Sequence, residues 1–451
     1  MALNAQQKSV IQKTLPSERV FFDFSDRSEY TKDATEMIFP PDALFMAETE
    51  EELVQAVRLC RQIELPLIIR GAGTGYSGGA LAVQGGLLVS IENIDEIKID
   101  TRTKTAVVGP GAITGDIMKA AEKENLFYPP DPASFKESCI GGNLAENAGG
   151  LRCKKYGVTK DYVLACRGID AEGKIIEIDH SSPFGLLDLM IGSEGTLFVF
   201  SEITLRLLDL PRPGNTIQAV FDDTVDAASV VAEVTAAGIV PCIMEFMDGD
   251  AIACSNRYDP DHRIEEGAAM LLFETDGAAA DNETAAIKAV CEKYAATALR
   301  LADDSETREN LWQTRRNLSK AVKSAYKSKI SEDVCVPPSR LPQLVAYVSR
   351  LAKKLPIRVN CYGHAGDGNL HVNFLGQIGD KKENQAITEG VERLFDKTLA
   401  LEGTLTGEHG IGITKKDYMG REFSPSTMRC MHRLKKCLDP ENLVNPGKIF
   451  P

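Results

Sequence analysis

Residues 70–80, RGAGTGYSGGA, constrain this chain more than any other stretch. They place five glycines in eleven positions, directly after the apolar run Leu67, Ile68, Ile69. Glycine-dense backbone after a buried strand can turn successive N–H groups toward one point, a nest able to cradle a pyrophosphate. A tight surface turn is the competing explanation of the run taken alone. Gly73, Gly75 and Gly78 also spell the GxGxxG string of dinucleotide-binding folds. That string works only where it opens a helix whose N-terminus meets the phosphates. Here GALAVQGG follows at 79–86, too rich in glycine and too short for that helix, so the Rossmann reading fails.

On both sides of this loop, helix and strand signals alternate. Thr49 and Glu52 form a capping-box pattern ahead of a helical stripe of Leu53, Val54, Val57, Cys60 and Ile63. Strand-like runs at 87–91 and 105–108 and a helix near 113–125 complete an α/β region. The LPRPGN break at 210–215 marks a domain boundary. Beyond it the patterns predict strands at 216–221, 242–248, 269–274, 357–361 and 371–375. Helices are predicted at 225–237, 278–294, 306–327, 340–354 and 384–401. The expected class is α+β, with residues 1–212 as one domain, 213–410 as a second, and 411–451 as a tail returning to the first.

With 451 residues, two or more cores are expected. The net charge of -14 argues against nucleic acid as a partner. No apolar run approaches a membrane span and the N-terminus lacks an apolar signal region, which points to the cytoplasm. The 11 cysteines form no CxxC pair or iron–sulfur cluster pattern and read as reduced, mostly buried thiols. Cys430 and Cys437, two helical turns apart, read as packing residues. Redox chemistry in this chain therefore requires an organic cofactor.

Three of only six histidines fall in two compact motifs, HAGDGNLHVN at 364–373 and GEHG at 407–410. Two imidazoles and a carboxylate drawn from these motifs would suit a divalent transition metal such as Zn²⁺ or Mn²⁺, and iron less so. On a strand, His371 and Asn373 would share one face, while Val372 and Phe374 pack behind. Glycines 363, 366 and 368 would let His364 swing back toward His371, with Asp367 and Asn369 shaping the loop. A hydrogen-bonded histidine cluster without metal is the blander alternative. Arg315 and Arg316, after Trp312 on the long helix, offer a guanidinium fork that fits a carboxylate or else lie on a solvated helix face, and two adjacent arginines cannot both point inward. Lys320, Lys323, Lys327 and Lys329 read as a solvated face or a docking patch for an acidic redox partner.

RGAGTGYSGGA, PPDPAS, GGNLAENAGG, IGSEGTL and NPGKIF, in this order, resemble the FAD-linked oxidases of the vanillyl-alcohol oxidase / p-cresol methylhydroxylase superfamily. Within it, the chain is most similar to glycolate oxidase flavoprotein subunits and D-lactate and D-2-hydroxyglutarate dehydrogenases. The resemblance implies a two-subdomain FAD-binding domain, a ferredoxin-like cap carrying substrate groups, and a C-terminal segment that contacts the flavin. It assigns Arg70, Gly71, Gly73, Thr74, Gly75, Ser77 and Gly78 to the pyrophosphate. Pro130, Ser134, Gly141, Gly142, Asn143, Asn147 and Gly150 would line the ribityl chain and ring. Glu194 and Ile203 would sit near the adenosine end or ring wall, and Asn445 would reach the flavin from the tail. Thr74 and Tyr76 stand where covalent members carry histidine, so noncovalent FAD is expected.

The same resemblance makes His364, His371 and Glu408 metal ligands, His409 the base, and Arg315 the carboxylate anchor. Lys329 becomes a second cation, although some relatives place their lysine where this chain has Ser331. The implied reaction oxidises a small D-2-hydroxy acid, of D-lactate or glycolate type, with hydride passing to the flavin. Electrons would leave to an electron-transfer flavoprotein, an iron–sulfur subunit or a quinone. A homodimer and peripheral contact with the inner face of the membrane are compatible. The rival readings are a metal-free flavin alcohol oxidase and a flavoprotein subunit that only relays electrons.

Overall fold

The computed structural model describes residues 3–302, 304–326, 328–377 and 379–450. Lys327 of the lysine run lies outside them. The chain divides into two compact units, one made of 1–149, 158–210 and 408–451, the other of 150–157 and 211–407. The sequence expectation had kept 150–157 with the first 212 residues.

Besides a two-stranded sheet that pairs Leu126–Phe127 with Leu208–Asp209, the first unit holds two main sheets. In one, the strands Ala43–Met46, Leu87–Ser90 and Leu67–Arg70 lie parallel, with Val20–Phe21 antiparallel at the edge. The Glu50–Gln62 helix follows the first of these strands and buries Leu53, Ala56, Val57, Leu59 and Cys60. Only half of its expected capping box forms. Thr49 accepts from the N–H of Glu52, but the Glu52 carboxylate turns to the Glu48 N–H and to Arg19. The other sheet is antiparallel, in the order Ile97–Asp100, Thr105–Val108, Val199–Arg206, Val163–Ile169, Ile175–Asp179. No helix separates Leu67–Arg70 from Leu87–Ser90, in keeping with the rejected Rossmann reading.

The second unit is one antiparallel seven-stranded sheet. Its order is Ala298–Ala302, Pro213–Phe221, Ala269–Asp276, Ile243–Asp248, Arg358–Gly363, Asn369–Gly376, Ser328–Cys335. Side chains alternate across a strand, so each strand feeds two faces. One face carries Ile243, Met247, Met270, Leu272 and Leu375 and packs on the helices Gly249–Tyr258 and Ser305–Ala325 through Ile252, Trp312, Leu318 and Val322. The other carries Phe374, which packs on Gly390 of the helix Lys381–Ala400. The overall class is α+β, as expected.

Several cysteines are buried, and all are free thiols. Cys430 and Cys437 correct the packing expectation, because both are exposed on the helix Pro425–Leu438. Its amphipathic stripe lies on another side. No helix among the described residues is long and apolar enough to cross a membrane.

Candidate active site

In the first unit, the glycine-rich loop closes on its own chain before it could meet a ligand. A Cβ on Gly71 would lie 2.2 Å from Cys139 Sγ, and one on Gly78 2.5 Å from Ile413. Gly141 is filled in the same way by Pro110 and Ile91. Gly75 has nothing within 4 Å, and Gly142 only Cys139 Sγ at 3.6 Å, so these two leave open backbone. The Arg70 guanidinium packs on Gly73, donates to the Glu29 carbonyl at 2.9 Å, and keeps Nη1 buried without a partner. Burial lowers its pKa. An unpaired buried guanidinium is costly, and a phosphate or other anion at this loop would satisfy it. A pyrophosphate-bearing cofactor therefore fits these residues.

The other positions assigned by resemblance sort by what they bond. Ser77 is fully buried, and its hydroxyl meets Glu146 at 3.3 Å. Thr74 and Ser134 are partly exposed, while Pro130 is buried. Asn143 donates to Thr114 at 2.6 Å within the helix Ile140–Glu146. Asn147 ends that helix in the left-handed region and accepts from the Lys160 N–H. Ile203 is fully buried between Val108 and Cys166 in the antiparallel sheet. Gly150 falls in the second unit, where its N–H points to Cys153 Sγ.

The C-terminal segment is held by charged side chains. Glu194 accepts from the N–H groups of Ile411 at 2.7 Å and Gly412 at 2.6 Å. Asn445 donates to the carbonyls of Gly79 and Glu194. Lys448, which the sequence reading passed over although it lies in the quoted NPGKIF, donates to the carbonyls of Gly79 and Leu81 and to Asn445. Burial lowers its pKa to about 7. Glu146 was also missed. Burial and the neighbouring Glu194 charge push its carboxyl well above the usual range. His409, two residues before the Glu194 grip, lies 5.0 Å from the Tyr76 ring, and its Nε2 is 4.0 Å from Glu408.

In the second unit, polar side chains gather on the face that is otherwise apolar. Asp333, His371 and Tyr362 are cross-strand neighbours, as are Ser331, Asn373 and Asn360. Gly368 adopts a positive φ of 80°, and a Cβ there would lie 1.8 Å from the Val336 carbonyl, so only glycine makes this turn. The His364 carbonyl accepts from the N–H groups of Asp367 and Asn369, which folds the ring of His364 to 5.4 Å from that of His371. Asp333 then anchors the far motif, accepting at its carbonyl and its carboxylate from the Gly407 N–H. Glu408 is the next residue. His364, His371 and Glu408 each offer a donor atom, all within 4.8 Å of one another. Two imidazoles and a carboxylate at this spacing fit a divalent metal.

Arg315 points inward, while Arg316 pairs with Glu309 on the exposed side of its helix. The Arg315 Nε donates to Glu245 Oε2 at 2.6 Å, and Glu245 Oε1 meets His364 Nδ1 at 2.6 Å. Burial alone would raise the Glu245 pKa, but Arg315 and His364 outweigh it and hold the carboxylate below its usual range. Lys329 donates to the Tyr362 hydroxyl at 2.8 Å, and the Tyr362 ring lies 5.6 Å from the Arg315 guanidinium. Sequence reasoning missed Glu245 and Tyr362. The signal for Glu245 was present, since a carboxylate inside the apolar run CIMEFM needs a buried partner.

The family model "FAD linked oxidases, C-terminal domain" matches residues 210–449, and "FAD binding domain" matches 41–179. The chain belongs to the FAD-linked oxidases. It is 35% identical to glycolate oxidase subunit GlcD of Bacillus subtilis, over 95% of this chain and 94% of that one. It is 31% identical to D-lactate dehydrogenase of Anaerostipes hadrus (91% and 89%) and 30% identical to D-2-hydroxyglutarate dehydrogenase of Stutzerimonas stutzeri (96% and 96%). Among solved structures, p-cresol methylhydroxylase superposes with a TM-score of 0.79 over 99% of this chain and 97% of that one, at 16% identity. That likeness shows the fold, a p-cresol methylhydroxylase-type FAD-binding architecture.

Proposed function

We propose that the chain oxidises a small D-2-hydroxy acid, of the D-lactate or glycolate type, to the 2-oxo acid in a reaction that uses noncovalent FAD and a divalent cation. The carrying observation is the approach of donor atoms from His364, His371 and Glu408 to within 4.8 Å, on a sheet face that also buries Arg315. When bound, the cation would lower the pKa of the 2-hydroxyl and the flavin would accept the C2 hydrogen as hydride. His364, His371 and Glu408 hold the cation, Zn²⁺ or Mn²⁺ by donor type. Arg315 pairs with the substrate carboxylate, and Lys329 adds positive charge through its bond to Tyr362. His409 takes the hydroxyl proton. The relatives, named for glycolate, D-lactate and D-2-hydroxyglutarate, support the substrate class. A separate redox partner would carry the electrons onward.

The test is anaerobic bleaching of the flavin by a panel of glycolate, D- and L-lactate, and D- and L-2-hydroxyglutarate. Rapid bleaching by one D-acid is expected. A yellow, folded protein that no 2-hydroxy acid reduces would overturn the proposal.

A further inference from the structure

Glu245 lies in the strand Ile243–Asp248 between Met244 and Phe246, with its side chain 1% exposed. Both carboxylate oxygens are engaged by different partners. Oε1 meets His364 Nδ1 at 2.6 Å, and Oε2 takes Nε and Nη2 of Arg315, each at 2.6 Å. A buried ionic triad is poor value for stability alone, because apolar side chains of similar volume often do as well or better. Its geometry is specific in a way that packing does not need. A carboxylate at Nδ1 accepts a hydrogen bond from that nitrogen and so keeps its proton there, which puts the lone pair of His364 on Nε2, the ligand side. The other oxygen occupies one edge of the Arg315 guanidinium and leaves Nη1 to a second anion.

We propose that Glu245 is a positioning residue shared by the metal-binding and carboxylate-binding halves of the substrate site, setting the tautomer of His364 with one oxygen and the orientation of Arg315 with the other. The inference rests on the proposed function. It predicts that metal affinity and substrate affinity fall together when one residue that touches neither is changed.

The test uses FAD-loaded protein carrying Glu245→Gln or Glu245→Asp, with flavin absorbance reporting the fold. Chelator competition with Zn²⁺ alone should show a dissociation constant raised about 10–100-fold in Glu245→Gln. With metal restored to saturation, KM for the reducing acid should still rise about tenfold or more while kcat changes less. Glu245→Asp keeps the charge but not the reach, and should retain one of the two effects. If the wild-type protein binds Zn²⁺ tightly and both variants match it in Zn²⁺ affinity and KM, Glu245 has no positioning role. If the wild-type protein binds neither Zn²⁺ nor Mn²⁺, the proposed function falls and this inference with it. In the unmodified protein, the His364 Nδ1 proton should give a downfield, solvent-protected nitrogen-bound NMR resonance. Its absence overturns the inference even where neither variant folds.

Discussion

Glu194→Gln tests how the C-terminal segment is held. Glu194 grips the backbone at Ile411 and Gly412 through hydrogen bonds of 2.7 and 2.6 Å, two residues after His409. Burial raises both Glu194 and Glu146, with the two N–H groups opposing the shift at Glu194. Glu146 lacks such backbone donors among the described residues, so Glu194 is the better placed of the two to bond as a carboxylate. Glutamine keeps one acceptor oxygen but turns its NH₂ toward the second N–H. One charge-assisted bond weakens and the other becomes an unsatisfied donor, a loss of about 2–4 kcal/mol. Were that energy spent wholly on docking residues 410–412, the undocked population would rise about 30- to 900-fold. Contacts that survive, such as Ile413 N–H to the Ser77 carbonyl and Ile449 N–H to the Gly412 carbonyl, make this an upper bound. Amide exchange at 410–413 should accelerate at least tenfold. Single-turnover flavin reduction should slow by a similar factor as His409 loses its position, with FAD content preserved. Unchanged exchange in a folded, FAD-loaded variant refutes the reasoning, whatever happens to the rate.

Three other perturbations follow from the same contacts. His371→Ala should lose both bound metal by elemental analysis and turnover while keeping FAD; full activity without metal would sink the proposed chemistry. Asp248, partly buried at the end of its strand, accepts from the N–H groups of Ala251 and Cys361, yet burial, assisted by nearby Asp250, pushes it up to about 7. The unfolded chain releases this proton near pH 4 and the folded chain holds it to about 7, so stability should fall as pH rises between them, by about 4 kcal/mol. Asp248→Asn should flatten that slope in urea titrations, and an equally steep slope would refute the assignment. Lys435→Met leaves Asp439, 1% exposed, without its 2.6 Å partner and removes donors from the Thr196 and Val444 carbonyls. About 3–5 kcal/mol should be lost, and a urea midpoint equal to wild type would contradict it.

Sequence patterning revealed several elements whose burial follows secondary-structure period. The strand Thr105–Val108 and the helices Thr114–Lys123 and Thr224–Ala236 lie within a residue or two of expectation. It failed at Ser328–Cys335, a full-length strand read as part of a lysine-rich surface. Lys329, Ser331 and Asp333 occupy the positions that face the polar patch, so the apolar alternation that announces a strand is absent. The helix Ile140–Glu146 was hidden by Gly141 and Gly142, of which one serves chain packing and the other leaves open backbone. The helix Gly249–Tyr258 had a usable signal, the N-cap Asp248, obscured by the strand it ends.

The failure at Ser328–Cys335 has a cause that bears on function. A strand is legible when its faces are chosen by solvent alone, and illegible when one face is chosen by a ligand. Seven polar or ionic residues, Glu245, Arg315, Lys329, Asp333, Tyr362, His364 and His371, crowd the side of a sheet whose other positions are Ile243, Met247, Met270 and Leu272. Apolar side chains would cover that face at less desolvation cost. The sequence keeps charges there in bonded sets, Glu245 with Arg315 and His364, Asp333 with Thr406 and Gly407, Lys329 with Tyr362. Bonding each charge to its neighbour removes rotamer freedom before any substrate arrives, and that preorganisation is what a site for an anionic hydroxy acid requires.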